Sequence, residues 1–236
     1  MKALFRPLVL LPFGILALAC STPISAQVDT FESGTTEGWF AGGGPFGGVP
    51  IPPPTNVPDG GPMGAGDNFL QITANGREGP GGRPVVMNAA QWARNYIADG
   101  IVGIGMSVNN FGPNDLFLRL LFENPIPGPP TDIAASLNAV TIPGMSGWMQ
   151  VFFPIRPSDL TAVDGSVTTA LSTTTVLRIY HSPTATFPGP TQAAQFGIDN
   201  IAASTVPEPA TVLLLGSGLL GLAVAGRRRR QSRPDA

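Results

Sequence analysis

Apolar and polar residues alternate with a period of two along most of the middle of the chain, the pattern of strands with one buried face. In Asn68–Asn75, Leu70 and Ile72 fall on one face and Phe69, Gln71 and Thr73 on the other. Over 100–111, Val102, Ile104, Met106 and Val108 oppose Ile101, Gly103, Gly105 and Ser107. Runs at 115–123, 148–155, 175–182 and 195–203 predict four further strands, and 28–33 an opening one. These runs are rich in β-branched and aromatic residues and are separated by Gly, Pro, Asn and Asp. They predict an all-β sandwich. Residues 88–98 read two ways, as two or three helical turns or as a strand carrying Trp92.

Between the opening strand and Asn68 the alternation stops. Residues 41–66 are dominated by Gly and Pro (GGGPFGG, VPIPPP, DGGPMGAG), which predicts a long surface loop, more mobile than functional. Shorter breaks of the same kind occur at 125–130 and 187–190.

Charge sharpens this picture. Between Gln27 and Pro209 there are six Arg (77, 83, 94, 119, 156, 178), no Lys, and fourteen Asp or Glu, a net charge of −8. A phosphate backbone needs clustered Lys and Arg, so nucleic acid is excluded as a partner. An acidic balance suits an exported protein that stays soluble or binds cations. The segment has no cysteine, and so no internal disulfide.

Candidate chemistry is sparse. The single His, His181, lies inside a predicted strand and reads as a half-buried or surface residue rather than a base. No serine nucleophile elbow is present. Paired carboxylates could in principle serve glycoside hydrolysis, but most of the acidic residues sit in turn contexts such as Asp59-Gly60, Asp99-Gly100 and Asp164-Gly165. No catalytic residue is assigned and an enzyme is not expected. Only hard oxygen ligands are on offer, which suits calcium rather than zinc. Sugar recognition would use exposed aromatic rings. The candidates are Trp39, Trp92, Trp148, Tyr96 and Tyr180; Trp39 and Trp148 read as core, and Trp92 and Tyr96, four residues apart with Arg94 between them, are the leading pair.

Phe31-Glu32-Ser33-Gly34 with Gly38-Trp39, then Gly66-Asp67-Asn68-Phe69-Leu70, Gly147-Trp148 and Gly197-Ile198-Asp199-Asn200-Ile201 occur in that order. The set resembles jelly-roll domains of the carbohydrate-binding-module and galactose-binding-like type. The resemblance implies a jelly-roll-type β-sandwich over 27–204. It also implies a structural calcium where first and last strands meet, with Asp29, Glu32 and Asp199 as ligands.

The two ends are of a different nature. Lys2 and Arg6 precede an apolar stretch from Leu8 to Ala19, and Ser25-Ala26 offers small residues for a signal peptidase, so 1–26 reads as a signal peptide cut before Gln27. Ala17-Leu18-Ala19-Cys20 also resembles a bacterial lipobox, with Leu18 shifted by one position. At the other end, Ala210–Gly226 is an uncharged stretch at the short limit for a single transmembrane helix. Arg227, Arg228, Arg229 and Arg230 follow, placing the C-terminus in the cytoplasm. Just before the helix stands Pro207-Glu208-Pro209, held extended by its prolines.

Residues 205–236 resemble the PEP-CTERM sorting signal. This implies that an exosortase, a membrane protease-transpeptidase, recognises Pro207, Glu208 and Pro209, with Arg227 to Arg230 as the retaining cluster. The chain is then expected to hold a transient inner-membrane anchor and to end at the cell surface or in the extracellular matrix. The function expected is a structural or adhesive component of exopolysaccharide or biofilm. A carbohydrate-binding module is the first alternative, and a carboxylate-dependent polysaccharide hydrolase the second.

Overall fold

The computed structural model describes residues 27–41, 52–124 and 128–205. The expected signal peptide with Cys20, the sorting tripeptide, the 210–226 helix and the arginine cluster lie outside the described residues. Thirteen strands are present in chain order: β1 (Val28–Asp29), β2 (Trp39–Phe40), β3 (Thr55–Val57), β4 (Phe69–Asn75), β5 (Val85–Asn88), β6 (Ile101–Asn110), β7 (Leu116–Asn124), β8 (Asp132–Ser136), β9 (Val140–Ile142), β10 (Trp148–Pro154), β11 (Leu160–Asp164), β12 (Val176–His181) and β13 (Ala193–Thr205). One short helix, α1 (Val167–Ser172), is capped by Ser166, whose side chain accepts from the Thr169 N–H.

The strands form two antiparallel sheets stacked as a jelly-roll-type sandwich. The first runs β10-β6-β13-β4-β3, with β1 added against β13; the second runs β11-β8-β7-β12-β5-β2, with β9 added against β7. Alternation decides what each strand buries. Leu70 and Ile72 of β4, Ile104, Met106 and Val108 of β6, and Leu116, Leu118, Leu120 and Phe122 of β7 all enter the shared core. Burying each such side chain contributes about 1.5–3 kcal/mol. The core faces therefore follow the periodicity in the sequence.

Three expectations differ from what is observed. The glycine- and proline-rich run is not one loop: β3 pairs with β4, Thr55 opposite Gln71, and Gly61 bridges Gly64. Carboxylates organise this stretch through local backbone bonds, Asp67 accepting from the Met63 N–H at 2.6 Å and Asp59 from the Gly66 N–H at 2.6 Å. Residues 89–98 form neither helix nor strand but a chain of turns. Asn88 Oδ1 accepts the Ala90 N–H at 2.9 Å, and the Tyr96 N–H donates to the Leu171 carbonyl at 3.0 Å. The opening strand stops at Asp29, because Phe31 turns into the left-handed region at φ 60°.

Candidate functional site

Side chains on the outer face of the second sheet are not a solvated polar surface. Leu121, Ala135 and Tyr180 are buried there, with Val85, Ile133, Val163 and Phe187 packed against them. Charge is buried on the same face. Arg119 is 4% exposed and has no carboxylate partner; its guanidinium donates to the carbonyls of Ser136, Leu137, Ser182 and Pro183 at 2.6–3.0 Å. Burial pushes its pKa down, and the four acceptors hold the proton in place. These bonds anchor the start of the loop that leads from β12 to β13.

That loop forms one wall of a cleft of about 360 Å³. Phe187, Pro188 and Gly189 stand on one side, the Gly79–Pro84 turn on another, and Val85, Arg178 and Tyr180 on the sheet beneath. Tyr180 and Phe187 meet edge to face, ring centroids 5.7 Å apart at 82°. The Tyr180 hydroxyl donates to the Thr186 carbonyl at 3.2 Å, and burial lifts its pKa to about 12, so it remains a neutral phenol.

Two cations complete the cleft. Arg178 lies over the Phe187 ring at 5.3 Å and pairs with Glu123 at 2.7 Å. Glu123 is 1% exposed, and burial raises its pKa against the lowering effect of Arg178. Arg83 Nε donates to the Gly189 carbonyl at 2.7 Å, fixing the outer wall. Among the described residues neither guanidinium donates a terminal N–H to protein. Asp and Glu are absent from the described lining. His181 also borders it. Its Nδ1 accepts the Phe117 N–H near the start of β7 at 2.9 Å, and burial lowers its pKa, so its role is to satisfy that strand amide.

The sugar platform expected at Trp92 and Tyr96 is not a surface. Trp92 is 0% and Tyr96 1% exposed, and the Tyr96 hydroxyl donates to the Trp92 carbonyl at 2.8 Å. Their turns fold inward because Trp92 reaches a buried carboxylate. Asp29 Oδ2 accepts from Trp92 Nε1 at 2.6 Å, Trp39 Nε1 at 2.7 Å and Gln91 Nε2 at 3.0 Å, while Oδ1 accepts from Gln27 Nε2 at 2.8 Å.

The same bonds correct the calcium set. Asp29 has both oxygens occupied by N–H donors, which repel a cation, so it does not fit as a ligand. Among the described residues no group of three or more His, Cys, Asp or Glu side chains converges to hold a metal. Of the three ligands expected, Glu32 and Asp199 act on one another. Burial raises the Asp199 pKa to about 7, with Asp67, Glu32 and Glu37 pushing the same way. Asp199 leans on its neighbour, accepting from the Asn200 backbone N–H at 2.7 Å and the Asn200 side-chain amide at 2.8 Å. Glu32 Oε1 accepts the Asn68 N–H at 2.9 Å.

Of the cleft residues, the sequence singles out only Tyr180, among the aromatic candidates, and the single histidine, His181. Arg178 and Tyr180 are two apart on one strand and so share a face, which the alternation does show, but Phe187, Gly189 and Arg83 reach the cleft only through loop geometry.

Comparison with known proteins gives two findings. Residues 205–230 match the PEP-CTERM protein-sorting motif, the mark of an exported protein processed at a membrane. None of the curated proteins matches the chain. Among solved structures, a family 11 carbohydrate-binding module of the cellulosomal cellulase Lic26A-Cel5E of Clostridium thermocellum aligns at TM-score 0.51 and 14% identity, over 79% of this chain and 98% of that one. An exo-beta-agarase aligns at TM-score 0.52 and 10% identity over 78% of this chain, which spans only 26% of the agarase. The described domain thus shares the jelly-roll fold of carbohydrate-binding modules, and the chain carries a PEP-CTERM sorting motif after it.

Proposed function

We propose that this is an exported, non-catalytic glycan-binding protein of the cell surface or extracellular matrix. An exosortase cuts its tail at Pro207–Pro209, a signal peptidase removes its leader, and the released domain engages exopolysaccharide. The cleft carries this reading. Phe187 supplies aromatic surface for the apolar face of a sugar ring, held edge to face by the buried Tyr180 ring behind it. Arg178 and Arg83 supply N–H donors for hydroxyl and ring oxygens, and a cleft with no carboxylate among its described lining residues suits holding a polysaccharide without cutting it. The fold shared with a family 11 carbohydrate-binding module adds support. An adhesive role in biofilm follows if the glycan bound is the producing cell's own.

Affinity electrophoresis of the 27–205 domain tests the reading, with mixed-linked β-1,3-1,4-glucan, agarose and the cell's own exopolysaccharide in the gel. Retardation by at least one polymer, lost in Phe187→Ala, supports it. Free migration in all of them refutes it. Release of reducing sugar from any of them, abolished in Glu123→Gln or Asp199→Asn, would move the assignment to a hydrolase.

A further inference from the structure

Both processed ends of the chain leave the sandwich at one corner. Val28 pairs with Ala202, and the Ala203 N–H donates to the Gln27 carbonyl at 3.0 Å. Thr205, paired with Ile101, ends β13, so Val206 alone separates the sheet from Pro207. Extended chain covers at most about 3.6 Å per residue, which keeps Pro207 within about 7 Å and Pro209 within about 14 Å of the last strand pair. An enzyme that grips this tripeptide must touch the folded corner.

The corner carries an exposed apolar row. Val28, Ala202, Gly105 and Phe152 are successive cross-strand partners on the outer face of the first sheet. Val28 is 47% exposed and Phe152 51%. The Phe152 ring lies across Gly103, where an added Cβ would stand 1.9 Å from its Cζ. Gly103 in turn pairs with Ser204, next to the last residue of β13. An exposed aromatic ring therefore sits beside the point where the tail departs.

We propose that this corner is the surface by which the folded domain docks on the membrane protease that removes its tail, with Phe152 and Val28 as the apolar contacts. The proposal rests on the sorting reading of residues 205–230. The short tether dictates the contact, and the apolar row makes it favourable by giving up exposed surface as the motif enters the active site.

The test follows tail loss from the full-length chain in cells that carry the protease, by pulse-chase and mass spectrometry of the C-terminus. Phe152→Glu and Val28→Glu each slow conversion by about tenfold or more, the scale of losing an interface anchor. The melting temperature of the exported domain stays at the wild-type value; should Phe152→Glu fail to fold, Val28→Glu decides. A flexible Gly/Ser spacer of about twelve residues between Thr205 and Val206 abolishes the sensitivity to both substitutions, because the motif then reaches the enzyme without the corner. Wild-type rates for the unspaced variants overturn the docking surface, provided the wild type is cut at 207–209. A wild type that keeps its tail overturns the sorting reading instead.

Discussion

Trp92 donates its indole N–H to the Asp29 carboxylate at 2.6 Å, tying the second residue of β1 to a turn 63 positions later. Trp39 donates to the same oxygen, and the two indoles pack at a centroid distance of 6.4 Å. One buried carboxylate thereby holds three segments that lack a disulfide.

Asp29→Asn replaces an acceptor by a donor opposite N–H groups that cannot turn away. Hydrogen bonds to charged groups are worth about 1.5–3 kcal/mol each, and the substitution is expected to cost about 3 kcal/mol or more in chemical denaturation. The loss is the same in EDTA and in millimolar calcium, since donors rather than a cation fill both oxygens. A loss seen only in calcium would reverse that assignment.

Asp199 makes stability depend on pH. Its folded pKa of about 7 lies above the ordinary 3.8, so between those values the folded protein holds a proton that the unfolded chain has released. Stability from this group therefore falls as pH rises from about 4 to 7 and levels off above. Asp199→Asn should flatten that part of the melting-temperature profile and be at least as stable as wild type at pH 8, with the Asn200 amide reversed to accept from the new NH₂. A cation seated between Glu32 and Asp199 would cancel the dependence. A slope unchanged by calcium removes both from the set of expected ligands.

Glu123 and Arg178 form the pair beneath Phe187. Breaking it with Arg178→Met strands a carboxylate that is 1% exposed and should cost about 3–5 kcal/mol. Adding Glu123→Gln should recover much of that loss, because the stranded charge is gone. A double variant no more stable than Arg178→Met alone would show that packing of the guanidinium on Phe187, rather than charge, is the larger effect.

Gly189 forms the outer wall of the cleft at a close approach. A Cβ there would stand 1.9 Å from the His181 carbonyl oxygen, so Gly189→Ala must push the wall outward and break its bond with Arg83. Polysaccharide retardation should be lost with only a few degrees off the melting temperature. Trp92→Phe should do the reverse, lowering stability while the folded fraction binds normally. Retained binding in Gly189→Ala would place the glycan elsewhere.

Strand positions, their core faces and the tail motif were legible in the chain because each depends on neighbours in sequence. Leu70 and Ile72, or Ile104 and Met106, declare their face by a period of two. The tripeptide, apolar stretch and arginines of the tail stand together within 205–230. What tertiary structure decided was the fate of individual polar and aromatic residues. Trp92 looks like a platform until Asp29 draws it inward, and Asp29 looks like a metal ligand until two indoles and two glutamines occupy it. Arg119, Phe187 and Arg83 gain their places from carbonyls more than fifteen positions away or from loop packing. Such bonds cross between distant segments, and a one-dimensional pattern contains no term for them.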